Sequence, residues 1–486
     1  MERAGLAAAQ KARQLLSPEV NPHSILVLVG PGNNGADALI AAMHLASASD
    51  SAYKVYVLHH TSQKLPNSAQ ISESDAVRAR AKVCTQLHWL PTHSDIDGAY
   101  DLVIDGLFGI GLRSQPLSLL LQRQIEQINA LRCPILALDV PSGLSADTGS
   151  LLLLTAPEHA CAIKATHTLT FIADKPGLHT GYGRDYAGQI VVADLGLLTS
   201  DFPVSTVQMS HSELFPKARQ SRYHNSHKGS FGTVAIIGGA TGMQGAAMLA
   251  SRSALYAGAG RVLAGFVDSP PPVDPNQPEI MCNAAANIIF TPSTVVVIGP
   301  GLGNAISSFD LLSRALLSNC PLVIDADALT LLAHQPALHA LCSGRGNVPT
   351  ILTPHPLEAA RLLACTVDEI QSDRIASAKK IALRFNAIVV IKGSGSIIAH
   401  PDGQSVINPT GNPGLASAGT GDVLAGLAGA LLAQYHDAWQ AALASVFVHG
   451  AAADKLVAQG IGPIGLCASD LLVPIRCLLN AGIPPI

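Results

Sequence analysis

The chain is short of charge. Only 13% of its 486 residues are Asp, Glu, Lys or Arg, and the net charge is −4. No basic block appears, so a nucleic-acid partner is not expected. Aromatic residues are also few, at 4%, against 48% hydrophobic residues and 43 glycines. That balance excludes a disordered or fibrous chain and fits compact α/β domains with many tight turns. The nine cysteines are scattered, with no C-x-x-C and no metal-type spacing. This argues against a disulfide scaffold and a cysteine-held metal, and buried, reduced thiols in a cytoplasmic protein are expected. No apolar run is read as approaching the roughly 18 residues of a membrane span, so no membrane partner is expected. The opening MERAGLAAAQKARQLL lacks a signal-peptide apolar core and cleavage site. The alanine-rich composition permits a homo-oligomer without requiring one.

At this length two to three domains are expected. Two blocks of strand–helix alternation can be read, which means parallel sheets with crossover helices. The first block places strands at Ser24–Val29, Tyr53–Leu58, Tyr100–Ile104, Pro134–Leu138, Thr166–Phe171 and Gln189–Val192. A polar, proline-containing linker, with the boundary near Phe202–Glu213, separates it from the second. The second block places strands at Gly232–Ile237, Val262–Val267, Val295–Ile298, Leu322–Ile324, Thr350–Leu352 and Ile388–Ile391. Its expected helices include Met243–Tyr256 and Gly421–Leu432. Proline-rich Ser269–Ile280 reads as a surface loop.

The first strand runs into GPGNNG, Gly30 to Gly35, which is literally G-x-G-x-x-G. It follows a strand and opens a helix, as a dinucleotide fingerprint should. The fingerprint also needs an acidic residue at the end of the second strand to hold a ribose. Here that strand ends in His59 and His60. A redox coenzyme site is therefore disfavoured. Two other strand ends carry polar groups: IDGLFGIGLRSQP brings Asp105, and LDVPSGLSADTG brings Asp139 and Ser142. Either aspartate alone is what a turn after a strand commonly uses. Together with Asn33, Asn34 and Asp37 they form a set of oxygen donors, suited to a hard cation rather than zinc or copper.

GPGNNGAD, DGLFGIGL and DVPSGLSADTG together resemble the N-terminal epimerase domain of bifunctional NAD(P)H-hydrate repair enzymes. The resemblance spans residues 1–205 and implies a Rossmann-like, doubly wound α/β fold. It implies a potassium ion held by Asn34, Asp105 and Ser142. It implies hydrate binding by Asn33, Asn34, Gly35, Ala36 and Asp37, by Gly109, Ile110, Gly111, Leu112, Arg113, Ser114 and Gln115, and by Asp139, which is also the expected acid/base group. The family usually has Gly-Gly-Asp-Gly where this chain has Gly35-Ala36-Asp37-Ala38. The family also has a further segment before MERAG, so the N-terminal segment reads as truncated.

The second block ends in GNPGLASAGTGDVLAG, with GTGD at Gly419 to Asp422 opening an apolar helix. Glycines let a backbone close on a phosphate, and a helix start supplies free N–H groups. An aspartate at that mouth can take a proton from an attacking hydroxyl. The same residues also suit a plain glycine turn with Asp422 stabilised by the helix dipole. Other strand ends add GPGLG at Gly299–Gly303, Asp325 and Asp327, His355 and Glu358, and Lys392 beside a glycine-rich hairpin.

This set resembles the ribokinase-like, ADP-dependent NAD(P)H-hydrate dehydratase domain, over residues 210–486. The resemblance implies nucleotide binding by Lys392, Gly393, Ser394, Gly395, Ser396, Asn412, Gly419, Thr420 and Gly421. It implies hydrate contacts from Ala246, Gly301, Gly303, His355 and Asp422, with Asp422 catalytic and Mg2+ accompanying ADP. Leu415 stands where the family usually has methionine, and Ser417-Ala418 precedes GTGD. The expected substrates are hydrated NADH and NADPH and the nucleotide. The alternative is a ribokinase-like kinase of a sugar or vitamin alcohol that keeps its product, fused to a non-catalytic binding domain.

Overall fold

The computed structural model describes residues 1–47, 52–60, 73–156, 159–198, 200, 202–219 and 221–481. They form two compact units, Met1–Val204 and Ser205–Ile486. The two-domain α/β class expected from the sequence, Rossmann-like and then ribokinase-like, is the class found.

The first unit is built on a seven-stranded sheet in the order Gln189–Ala193, His167–Phe171, Ile135–Leu138, Leu102–Gly106, His23–Val29, Tyr53–His59, Leu87–Leu90. Every pairing is parallel. His23–Val29 lies inside the sheet, so both its faces are covered: Ile25, Val27 and Val29 enter one core, Leu26 and Leu28 the other. That is why it reads as an unbroken apolar run rather than an alternating one. The chain winds one way from this strand, then returns to its other side with Leu102–Gly106. Between these two strands the direction reverses, which is where open parallel sheets leave a crevice for ligands. GPGNNG follows one of the two strands and Asp105 sits in the other. Gly30 is demanded by packing: a Cβ there would lie 1.6 Å from the Leu107 carbonyl oxygen.

The second unit has a ten-stranded sheet in the order Val207–Met209, Ser405–Ile407, Ile397–Ala399, Ile388–Ile391, Thr350–Leu352, Leu322–Ile324, Thr294–Ile298, Thr233–Gly238, Arg261–Phe266, Met281–Ala284. Ile397–Ala399 pairs antiparallel with both its neighbours, Ile388–Ile391 and Ser405–Ile407, and the other pairings are parallel. Its reversal falls between Thr233–Gly238 and Thr294–Ile298, whose C-terminal ends carry the two glycine loops at 238–245 and 299–303. Helix Thr420–Tyr435 crosses helix Gln244–Tyr256 so closely that a Cβ on Gly426 would meet the Ala250 carbonyl oxygen at 2.0 Å. Small residues in both helices allow that approach.

Two expectations are corrected and one is extended. Part of the polar linker is a strand: Val207–Met209 pairs in parallel with Ser405–Ile407. The Ser269–Ile280 loop forms no helix or strand, but it is pinned by Asp274, which is fully buried. Arg252 donates to both Asp274 oxygens, at 2.6 and 2.7 Å, and holds that carboxyl below the usual range. Finally, helix Ala438–Ala458 is long and apolar enough to cross a membrane, with 72% of its most apolar window buried inside the fold. Most of its alanines and valines are core residues of the second unit, which is why apolar length alone misleads.

Candidate active sites

In the first unit, the helix start, two strand ends and a buried carboxylate interlock. Asn34, buried at the start of helix Asn33–Ala46, donates through Nδ2 to the carbonyls of Phe108 (2.8 Å) and Leu138 (3.0 Å). Its Oδ1 is buried and has no hydrogen-bond partner among the described residues. Asp105 is fully buried. It accepts from the Ser142 hydroxyl at 2.6 Å, the Ser142 N–H at 2.8 Å and the Leu107 N–H at 3.2 Å. Burial nonetheless pushes its carboxyl up to about 6, since those bonds only partly offset lost hydration. Phe108 N–H donates to Ser142 Oγ, closing the ring of contacts. The result is a small cluster of buried oxygens beneath the sheet's crevice.

Asp139 stands beside this cluster at the end of its strand, with φ of 65°, a left-handed region uncommon for residues other than glycine, though Asp adopts it more readily than most. Ile172, after the neighbouring strand, has φ of 71°. Strain of this sort persists where the surroundings over-determine it, often at functional sites. Between the two lies a residue that the sequence reading missed. Lys175 donates through Nζ to Asp139 Oδ1 at 2.6 Å and to the Phe171 carbonyl at 2.7 Å, with both side chains mostly buried. The signal was present in ADKPG just after a strand, but a lone lysine there looks like a solvated charge.

The remaining residues expected at this site differ in placement. Asn33 is exposed at the helix start, and Asp37 is buried one turn on. Gly35 is fixed by packing, since a Cβ would lie 2.1 Å from the Gly30 carbonyl oxygen. The Ala36 methyl is fully buried in the apolar core, so it forms no part of the cleft surface. Gly109 lies against Asn34. Ile110, Gly111, Arg113 and Ser114 are exposed, Leu112 is half-buried, and Gln115 is tied by its N–H to the Leu152 carbonyl.

In the second unit a cation sits among carboxylates. Lys392 Nζ lies 2.7 Å from Asp325 Oδ1 and 3.9 Å from Glu358 Oε2. Burial alone would lower its pKa, but Asp325 and Glu358 outweigh that and raise it. Burial pushes Glu358 up to about 7, against the pull of Lys392. Asp422 is half-buried in the first turn of helix Thr420–Tyr435, and among the described residues its carboxylate accepts no hydrogen bond. Burial and the nearby Asp325 push it up to about 6, while Lys392 draws it down. Gly421 faces the same pair: a Cβ there would be 3.4 Å from Lys392 Nζ and 3.9 Å from Asp325 Oδ2. Gly419 has φ of 88°, the left-handed turn that sets the helix start.

The other expected groups join this cleft in pairs. Gly301, at φ of 59°, packs against Met243 and Ala246. Gly303 N–H donates to Asp327 at 2.8 Å. His355 is used as a helix cap, accepting from the N–H groups of Leu357 and Glu358 through Nδ1. Its Nε2 lies 3.2 Å from Glu358 Oε1. The Lys392–Ser396 turn is closed by Ser396 Oγ donating to the Gly393 carbonyl. Buried Arg374, also missed from the sequence, donates to the carbonyls of Ser394 and Ile391 and so fixes that turn from beneath. Nothing in its sequence neighbourhood marks it. Asn412 is tied inward, with Nδ2 donating to Asp454 and Oδ1 accepting from Gly414 N–H. Thr420 is likewise tied, its hydroxyl donating to the Leu415 and Ser417 carbonyls.

An oxygen-lined crevice and a separate cleft with an aspartate at a glycine-rich helix start define a two-domain α/β enzyme of the nucleotide-handling kind. The comparisons make this specific. Residues 1–177 match the family described as YjeF-related protein N-terminus, and residues 234–472 match NAD(P)H-hydrate dehydratase. The bifunctional NAD(P)H-hydrate repair enzyme of Escherichia coli is 39% identical, over 99% of this chain and 89% of its own length. That of Coxiella burnetii is 36% identical, over 99% and 94%. Among solved structures, the ADP/ATP-dependent NAD(P)H-hydrate dehydratase of Bacillus subtilis, co-crystallised with ATP and Mg2+, is 32% identical over 54% of this chain and 93% of that one, with a TM-score of 0.48. The chain belongs to the bifunctional NAD(P)H-hydrate repair enzyme family, and the product-retaining kinase is not favoured.

Proposed function

We propose that this chain repairs hydrated NADH and NADPH, with its first unit interconverting the R and S hydrates and its second dehydrating the S hydrate at the expense of ADP. The observation that carries the dehydratase reading is the meeting of Lys392, Asp325, Gly421 and an unengaged Asp422 at one helix start. Hydroxide is a poor leaving group. Asp422 takes the proton from the ring hydroxyl, whose oxygen attacks the terminal phosphorus of ADP, and AMP departs. N–H groups at the helix start, which have no intrahelical partners, hold the transferring phosphoryl. The ring nitrogen's lone pair then expels phosphate, and a proton lost from the neighbouring carbon restores the double bond. Mg2+ enters with the nucleotide as part of the substrate. No group of three or more His, Cys, Asp or Glu fit to hold a metal is found among the described residues, and Mg2+ bound mainly by phosphates and water needs none.

In the first unit Asp139 is the proton-transfer group. It removes the proton of the ring hydroxyl, the carbon–nitrogen bond opens, and reclosure on the other face with return of the proton gives the opposite epimer. Lys175 holds the Asp139 carboxylate in place. The buried, unpartnered Asn34 Oδ1 beside Asp105 and Ser142 fits a cation that takes only oxygen ligands. These three residues would hold potassium there, which would supply positive charge to orient the hydrate.

The test is recovery of the reduced-nicotinamide absorbance from mixed hydrate epimers with potassium, magnesium and either ADP or ATP. Recovery of the whole pool with ADP is expected. Recovery of one epimer only would remove the epimerase assignment, and no recovery with either nucleotide would overturn the reading.

A further inference from the structure

Helix Ala438–Ala458 is built of alanine, valine, leucine and phenylalanine for most of its length, and most of it is core. Buried Ser445 turns back on its own helix, donating to the Ala442 carbonyl, and two further polar side chains, in the run HGAAAD, each reach the 411–422 segment. His449 is buried, and its Nε2 lies 3.0 Å from the Thr420 carbonyl oxygen. A carbonyl can only accept, so Nε2 carries the proton and donates. Burial pushes the ring down to about 4, so it stays neutral and adds no charge beside Lys392. Asp454 accepts from Gly411 N–H at 2.7 Å and from Asn412 Nδ2 at 2.9 Å. Asn412 Oδ1 in turn accepts from Gly414 N–H at 3.0 Å. Between them, the Thr410 hydroxyl donates to the Phe447 carbonyl at 2.9 Å. A Cβ on Gly450 would lie 2.3 Å from that hydroxyl. Phe447, Gly450 and Asp454 recur at three- and four-residue steps and so form one stripe of the helix.

A buried histidine and an aspartate are costly in such a helix unless each is satisfied, and among the described residues the partners found for both lie in the loop that opens the Asp422 helix. We propose that this helix is the back wall of the phosphoryl-transfer cleft, with His449 and Asp454 as positioning residues that control different steps. His449 holds the first turn that presents Asp422, and so sets the rate of transfer. Asp454 holds the Gly411–Gly414 turn, and so sets nucleotide affinity. On this view Asn412 builds the turn rather than touching the nucleotide. The inference rests on the dehydratase reading above.

The full chain would be assayed for phosphate release at varied ADP, with thermal unfolding measured alongside. His449→Leu is expected to lower kcat by about 10- to 100-fold with little change in nucleotide KM, since small misplacements at a reacting centre have effects of that order. His449→Gln, whose amide nitrogen can reach the same carbonyl, is expected to recover most of it. Asp454→Asn keeps one acceptor of two and is expected to raise nucleotide KM by about 10-fold, as loss of a hydrogen bond to a charged group implies. Val448→Ala, in the same helix but off the loop, is expected to lose stability without moving either constant. If His449→Leu does not fold, His449→Asn, too short to reach, takes its place. The inference fails if His449→Gln is no better than His449→Leu, or if Asp454→Asn leaves nucleotide KM unchanged. If the wild type releases no phosphate, the dehydratase reading fails instead. Equilibrium ADP binding then decides the Asp454 part, with equal affinity in Asp454→Asn and wild type overturning it.

Discussion

Replacing Asp422 by asparagine should make this protein more stable and nearly inactive at once. Burial and Asp325 lift the Asp422 carboxyl from 3.8 to about 6. Between those values the folded chain keeps a proton that the unfolded chain has released. Below the lower value the group is neutral in both states and costs nothing. Above the upper one it is charged in both, and the folded state bears the whole cost of the buried charge. A shift of about two units corresponds to about 3 kcal/mol, and partial solvent access at this half-buried site reduces it to about 1–2 kcal/mol. Asp422→Asn removes that cost. At pH 8 the second unit should therefore melt a few degrees higher than in the wild type, and the gain should fade as pH falls toward 4. Over the same range the dehydration rate should drop by about 10²- to 10⁴-fold, the usual contribution of a positioned base. Calorimetry of the full chain at several pH values, with phosphate-release rates on the same samples, makes the comparison. A variant less stable than wild type at pH 8, or one that keeps its rate within about threefold, would refute the argument that an uncompensated buried base works here.

Three further outcomes concern the first unit. Lys175→Met should lower epimerisation by about 10²-fold and Lys175→Arg should restore part of it, because the ammonium holds the Asp139 carboxylate; epimer exchange followed by chromatography would show whether Asp139 works without its partner. Asn34→Ala removes the orphaned buried oxygen, so the rise of epimerase rate with potassium should flatten while dehydration is untouched, and an unchanged potassium titration would count against the cation site. Gly30→Ala forces a Cβ to 1.6 Å from the Leu107 carbonyl oxygen, and the first unit should lose more than about 2 kcal/mol in thermal unfolding.

Most of the central strands of both main sheets were legible, although Ile397–Ala399 and Ser405–Ile407, central but only three residues long, were read only as a glycine-rich hairpin, and the edge strand Gln189–Ala193 was read. A strand buried on both faces must be apolar throughout, so His23–Val29, Thr294–Ile298 and Ile388–Ile391 announce themselves. Leu87–Leu90, Met281–Ala284 and Val207–Met209, at or near sheet edges, did not. Edge strands bury one side at most, so their composition resembles that of loops. The glycine loops were legible because close backbone approach leaves only glycine, at Gly30 or Gly299, whatever the neighbours are.

What the sequence determined by itself was the order of elements, the two-domain class and the polar groups at the strand ends, because these follow from local apolar patterning and turn chemistry. The tertiary structure decided which of those groups meet. Lys175 and Asp139 are 36 positions apart, Lys392 and Asp325 are 67, and His449 lies 29 from Thr420. Nothing local distinguishes these lysines from surface charge or this histidine from a core residue. Only the winding of each sheet about its reversal brings them together, and burial then turns ordinary side chains into paired, pKa-shifted or orienting ones.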